Sequence, residues 1–446
     1  MKRREFLQIS GAAAVAAACA PKTSPSAIVT EEPEQMLIRE NPKNGDKVGA
    51  LGFGCMRWPM IKDENDRDVI DQEAVNEMVD YALMHGINYF DTSPAYLQGQ
   101  SEKAAGIALS RHPRESYFLA TKLSNFRDAS PEASIKMYKD SFQQLQTTYF
   151  DYYLLHSIGR GGKDAFNRRY VDNGLVPFLL EEKKAGRIRN LGFSFHGAKH
   201  EFDYFMELFD SGEMVWDFVQ IEMNYVDWTH ADGVRNVNAD YLYAELDKRG
   251  LPIVIMEPLL GGRLARVPEG IARQMKEREP ERSVASWAFR FCATYPRVLC
   301  VLSGMTNMEP LKENVETFGH FKPLTDEELE FLEQMATQMM EYPLVNCTDC
   351  KYCMPCPWGI DIPGTFQHYN KAITDGTYAQ STAQKDYAKL KKAYLVSYDR
   401  AVATVRQADH CINCGECLSH CPQSIPIPRE LRRIARYVED LKQDKL

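Results

Sequence analysis

INYFDTSPAY, residues 87–96, sets the reading of the whole chain. A short, mainly apolar run ends on Asp91, Tyr96 follows five residues later, and the Ala-rich stretch SEKAAGIALSRH comes next. An apolar run that hands over to an amphipathic helical pattern is one strand–helix unit. The same rhythm recurs on both sides. VGALGFG, SYFLATK, YFDYYLLH, IRNLGFS, DFVQIEM, PIVIMEP and RVLCVLSG are further strand candidates, separated by helical patterns such as DQEAVNEMVDYALMHG and PEASIKMYKDSFQQL. Eight strands alternating with helices between about residues 48 and 318 predict an α/β fold, a (β/α)8 TIM barrel. The competitor, a doubly wound open sheet, would want a Gly-rich phosphate loop after its first strand, and LGFGCMRWP is not GxGxxG.

Functional residues of such barrels sit at the C-terminal ends of strands. Those ends carry Asp91, Lys122 and His156, with Tyr96 in the loop after Asp91. Singly, each has an ordinary explanation: a packed loop tyrosine, a solvated lysine, a rim histidine. Together and in this order they resemble the catalytic tetrad of the aldo/keto reductases. The resemblance spans about residues 45–320 and extends to LGFGCMR, LGFSFHG, VQIEMNY and MEPLLGGRL. It implies an enzyme that interconverts a carbonyl and an alcohol on a small molecule. Tyr96 would exchange the proton, Lys122 would lower the pKa of the phenol, Asp91 would hold Lys122 charged, and His156 would orient the carbonyl oxygen.

The same resemblance implies a nicotinamide nucleotide. Ser194 and Gln220 match the residues that hold the carboxamide, although Phe195 stands where the family has Asn, and Met256 replaces an aromatic residue. Glu313 and Asn314 match the adenine-binding pair, whereas the two cation positions around the 2′-phosphate fall on Gly304 and Pro310. Charge-assisted bonds contribute ~1.5–3 kcal/mol each. Losing two of them argues against an NADPH preference and leaves NADH, or a permanently bound nucleotide, as alternatives.

Two cysteine runs close the chain. Cys411, Cys414, Cys417 and Cys421, with Pro422, have the C-x2-C-x2-C-x3-C-P spacing of bacterial ferredoxins, and Cys347, Cys350, Cys353 and Cys356 repeat it with a last gap one residue short. Four-cysteine zinc sites usually pair two knuckles across a longer spacer, and disulfides between cysteines three apart are strained. The runs resemble a ferredoxin-like extension carrying two [4Fe–4S] clusters. By analogy one cluster takes Cys347, Cys350, Cys353 and Cys421, and the other Cys411, Cys414, Cys417 and Cys356. The expected organisation is the barrel over 45–320, a connecting helix over 321–340 with Thr325 and Glu328 at capping-box spacing, and a smaller, mainly helical ferredoxin-like iron–sulfur domain over 341–446.

The head, MKRREFLQISGAAAVAAACA, has the Arg pair, Phe-Leu and small-residue run of a twin-arginine export signal, and Cys19 sits where a lipidated cysteine would. Residues 1–34 are therefore expected to be an export signal and tether, placing the protein in the periplasm or lipid-anchored to a membrane. Export of the finished fold would let clusters assemble in the cytoplasm first. The net charge of −9 argues against nucleic acid as a partner. Three functions follow: a carbonyl–alcohol oxidoreductase whose clusters relay electrons to or from an electron-transfer protein, a reductase with purely structural clusters, or a non-catalytic exported iron–sulfur electron carrier.

Overall fold

The computed structural model describes residues 36–231 and 236–446. The expected export signal and its Cys19 lie outside the described residues. Eight parallel strands close into a barrel: β1 (Leu51–Gly54), β2 (Tyr89–Asp91), β3 (Phe118–Leu123), β4 (Phe150–Ile158), β5 (Ile188–Phe195), β6 (Phe218–Glu222), β7 (Ile253–Met256) and β8 (Val298–Ser303). Closure runs β8 to β1, with Val301 opposite Leu51, and β5 to β6, with Ser194 opposite Gln220. Strands buried on both faces read as near-continuous apolar runs rather than alternating ones. β4, FDYYLLHSI, is buried along its whole length.

One strand candidate divides. In VGALGFG, Lys47–Gly49 pairs antiparallel with Ile38–Glu40, and only Leu51–Gly54 joins the barrel. The cause is local crowding, because Gly49 packs on the Gly86 carbonyl and Leu37 NH donates to Phe318 O.

Helices α1 (Gln72–Met84), α2 (Gln100–Leu109), α3 (Pro131–Gln144), α4 (Leu175–Lys184), α5 (Lys199–Asp210), α6 (Ala239–Lys248), α7 (Val284–Thr294) and α8 (Met308–Gly319) surround the barrel. α9 (Asp326–Met340) follows, its first turn satisfied by Thr325 and Glu328, each accepting the other's backbone NH. The cysteine region is mainly helical: α10 (Ile362–Thr374), α11 (Tyr387–Ala401) and α12 (Ile427–Lys442) enclose a second core that includes Phe366, Tyr369, Tyr394, Leu431 and Ile434.

Gly106 on α2 meets the end of α3, where an added Cβ would lie 2.8 Å from Leu145 Cα. In an open helix Ala is favoured over Gly by about 1 kcal/mol. Here backbone, which cannot swing aside, is the obstacle. Gly106→Ala should therefore destabilise the fold by about 1–3 kcal/mol, read as a lower urea midpoint at unchanged slope.

Candidate functional site

The strand ends bring Asp91, Lys122 and His156 together at one mouth of the barrel. Lys122, 1% exposed, donates through Nζ to the Asp91 carboxylate and to Thr92 O at 3.0 Å. Gln220 Nε2 reaches the other Asp91 oxygen at 3.2 Å. Tyr96 stands over this pair, with its ring centroid 5.0 Å from Lys122 Nζ and 5.9 Å from the His156 ring. Its loop turns through Leu97, Gln98 and Gly99, all at positive φ, which is strained for the first two. His156 Nδ1 lies 2.5 Å from Ser124 Oγ and 3.3 Å from Ser93 Oγ, leaving Nε2 for another partner.

Burial dominates the electrostatics. It raises the Asp91 carboxyl and lowers the Lys122 ammonium, each opposed by the other's charge. It holds His156 neutral, with Lys122 adding to the effect. The sequence reading expects Lys122 to pull the Tyr96 phenol down. The structure corrects this: burial first, then Asp91, Tyr352 and Glu257, push Tyr96 well above its ordinary value, so it holds its proton.

The expected nucleotide residues are placed differently from one another. Ser194 and Gln220 face each other on β5 and β6, where Ser194 Oγ accepts from Ser157 NH at 2.8 Å. Asn314 on α8 donates to Ser303 Oγ at 3.0 Å, beside the half-buried Glu313.

The cysteines gather in two fours. Cys421 lies close enough to Cys347, Cys350 and Cys353 for their charges to interact, and Cys417 stands likewise with Cys411, Cys414 and Cys356. The second four line a small cavity walled by Trp358, Ile360, Ile412 and Leu431. Both runs wind alike: Asp349 and Lys351 flank Cys350 at positive φ, as Asn413 and Gly415 flank Cys414. Such alternation turns backbone NH groups toward one concavity, a form that suits anionic iron–sulfur clusters. Burial pushes Cys347 and Cys417 up to about 11, followed by the charges of Asp349 and Cys421 at Cys347 and of the neighbouring thiols at Cys417, a repulsion between thiolates that bound iron would relieve. Among the described residues no three metal-ligating side chains close on a single point, and all the described cysteines are free thiols. This donor set fits four-iron clusters better than single zinc ions.

The aldo/keto reductase family model matches residues 50–337, and a 4Fe-4S dicluster domain model matches residues 346–426. The chain belongs to the aldo/keto reductase family. The reductase is 26% identical over 306 residues to L-galactose dehydrogenase of Arabidopsis thaliana, covering 64% of this chain and 89% of that protein. It is 24% identical over 321 residues to the uncharacterized oxidoreductase YqkF of Bacillus subtilis, covering 65% and 94%. In fold it is similar to aldo-keto reductase AKR11C1 of Bacillus halodurans, with TM-score 0.53, 24% identity and coverage of 68% and 96%. It is also similar to an aldo-keto reductase from Klebsiella pneumoniae solved with NADPH, with TM-score 0.52, 20% identity and coverage of 68% and 95%. The protein is thus an oxidoreductase of this family with a ferredoxin-type dicluster domain.

Sequence reasoning missed what lies between barrel and tail in the reductase. Arg57, after β1, donates to Thr348 O and pairs with Asp349 at 3.4 Å. Arg263, after β7, donates to Asn346 Oδ1 at 2.8 Å, and Arg160, after β4, to Ser419 O at 3.0 Å. Tyr352, between two cysteines of the first run, lies 6.3 Å from the His156 ring and 6.2 Å from Phe126. A cleft of about 210 Å³ remains between mouth and tail, lined among others by His196, Glu222, Asp227, Gln423 and Arg429. Burial raises Glu257 to about 7 and Asp227 to about 6, with Glu222 adding to both. The one available signal was the spacing of KYC, which puts Tyr352 beside its cysteines.

Two predictions follow from this geometry. Cys421→Ser should lower bound iron from about eight atoms per chain to about four, because it removes a ligand of the first four only; iron analysis and visible absorbance check this. Glu102, buried behind β3 and accepting from Thr121 Oγ1 at 2.5 Å, is raised by burial to about 7. An acid raised on folding weakens the fold as pH climbs from its unfolded value through its folded one. Between about pH 5 and 8 the wild type should therefore lose up to about 2–3 kcal/mol that Glu102→Gln retains, measured by urea unfolding along that range.

Proposed function

We propose that the protein interconverts a carbonyl and an alcohol at Tyr96, with electrons passing through the dicluster domain to or from an external electron-transfer protein. The observation that carries this reading is the juxtaposition of Tyr352, inside the first cysteine run, with His156 of the tetrad. It puts the cluster ligands within two residues of the site. Tyr96, kept protonated by burial, is the proton donor to the carbonyl oxygen in reduction, and its tyrosinate, once formed, is the acceptor in the reverse direction. Neutral His156, its Nδ1 engaged by Ser124 and Ser93, offers Nε2 to the same oxygen. Lys122 and Asp91 fix the field beneath the phenol. Two [4Fe–4S] clusters, held by Cys347, Cys350, Cys353 and Cys421 and by Cys411, Cys414, Cys417 and Cys356, supply one-electron carriers when bound. Reduction of one carbonyl consumes two electrons, delivered one at a time by the clusters, and two protons, one from Tyr96 to the oxygen and one from solvent to the carbon.

The family's usual partner is a nicotinamide nucleotide, NADPH in the Klebsiella structure. The residues present do not fit the 2′-phosphate of NADPH, because Gly304 and Pro310 replace the cations, while Ser194, Gln220 and Asn314 bond to Ser157, Asp91 and Ser303. No step is assigned to the nucleotide. A sugar or sugar lactol is the substrate class favoured by the polar cleft and by two relatives, L-galactose dehydrogenase and D-arabinose 1-dehydrogenase of Saccharomyces cerevisiae. The twin-arginine-like head and Cys19 support a periplasmic or lipid-anchored location.

The test is anaerobic mixing of the oxidised protein with L-galactose or D-arabinose, and of the dithionite-reduced protein with the corresponding lactones, while iron–sulfur absorbance is followed. Sugar-dependent change is expected, slowed about 10²–10⁴-fold by Tyr96→Phe at unchanged iron content. A rate indifferent to Tyr96→Phe would overturn the reading.

A further inference from the structure

We propose that residues 346–352 seal the channel by which a nicotinamide nucleotide would cross the barrel mouth, so that the docked chain does not exchange nucleotide with solution. The inference rests on reading the barrel as a carbonyl–alcohol oxidoreductase.

Family resemblance fixes the two ends of that channel. The nicotinamide end lies at Ser194, Gln220 and Met256, on the ends of β5, β6 and β7; the phosphate and adenine end lies at Gly304 and Asn314, after β8 and on α8. A ligand joining them must pass between the loop after β7 and the end of β8. The tail stands on that line. A Cβ on Gly261, in the loop after β7, would lie 2.6 Å from Thr348 Cβ and 3.0 Å from its carbonyl carbon, so the two backbones are in direct contact. On the other wall, a Cβ on Gly304 would lie 3.3 Å from Arg57 Cγ, and the Arg57 guanidinium is spent on Thr348 O and Asp349. The loop after β7, the tail, Arg57 and the end of β8 thus stand in direct succession across this line.

The chemistry agrees with the geometry. Arg57 is the guanidinium at this point of the mouth, and an arginine there suits a phosphate. Its anionic partner is instead the Asp349 carboxylate, carried by the chain itself. Arg263 holds one end of the segment through Asn346, and Tyr352 closes the other against His156 and Phe126. The segment is therefore pinned at four points, and it is the same segment that carries Cys347 and Cys350.

The experiment measures equilibrium binding of NADH and of NADPH to the iron-loaded full chain, to Arg57→Ala and to Gly261→Ala. Iron content and visible absorbance verify that each protein keeps its clusters. Arg57→Ala removes the latch, whereas Gly261→Ala drives a methyl into the Thr348 backbone, so the two loosen the seal by unrelated means. Neither nucleotide should be retained by the intact chain, and apparent affinity should rise about ten- to a hundredfold in the variants, as expected when a closed state stops competing with the ligand. Binding by the intact chain as tight as by the variants would overturn the proposal. So would iron-loaded variants that bind no better than the intact chain, since the segment would then not be what keeps nucleotide out. Sugar-driven bleaching of the clusters reports on the oxidoreductase reading separately, because it needs no added nucleotide.

Discussion

An ammonium group deprived of water at the centre of a barrel exists there because a carboxylate was buried with it. Removing either partner of such a pair leaves an uncompensated charge at a cost of about 3–5 kcal/mol. The Asp91–Lys122 contact is a product of barrel closure, since β2 and β3 are neighbours with Asp91 opposite Ala120, and the second Asp91 oxygen is taken by Gln220 from β6. Its influence spreads through the interior. The Asp91 charge adds to burial in keeping Tyr89, Cys55 and Cys300 protonated. These buried groups are thereby chemically quiet, and the phenol with room to act is Tyr96, which stands over the lysine in the half-buried loop.

The cysteine domain completes the mouth rather than trailing from it. Arg57, Arg160, Glu222 and Arg263 come from the C-terminal ends of four different strands and reach the tail from four directions. A domain held by several spaced contacts has its orientation on the barrel fixed. The carboxyls left under it, Glu257 and Asp227, are desolvated by the lid and by one another's neighbour Glu222. They belong to an environment that neither barrel nor tail would create alone.

Legibility in the sequence followed the range of the interactions. The eight strands were readable because burial on both faces leaves an uninterrupted apolar signature, and Asp91, Lys122 and His156 drew notice as polar residues in the last positions of such runs. The cysteine spacing was readable because ligand geometry is local. VGALGFG misled because its division between hairpin and barrel depends on Gly86 and Phe318, far along the chain. Arg57 and Asp349 are almost three hundred positions apart, so nothing near either one announces the pair. The Tyr96 shift was misjudged because its burial, and the approach of Tyr352 and Glu257, come from distant parts of the chain, and because Asp91, though visible, was read only as the partner of Lys122.

Arg57 grips position 348 by its carbonyl oxygen, not by its side chain. A latch of that kind is blind to residue identity on one side only. Position 348 can change among residues of similar bulk without weakening the grip, whereas position 57 must keep a long, forked donor. Variation between the cysteines could thus tune the surroundings of the bound iron while the seating of the domain on the barrel stayed the same.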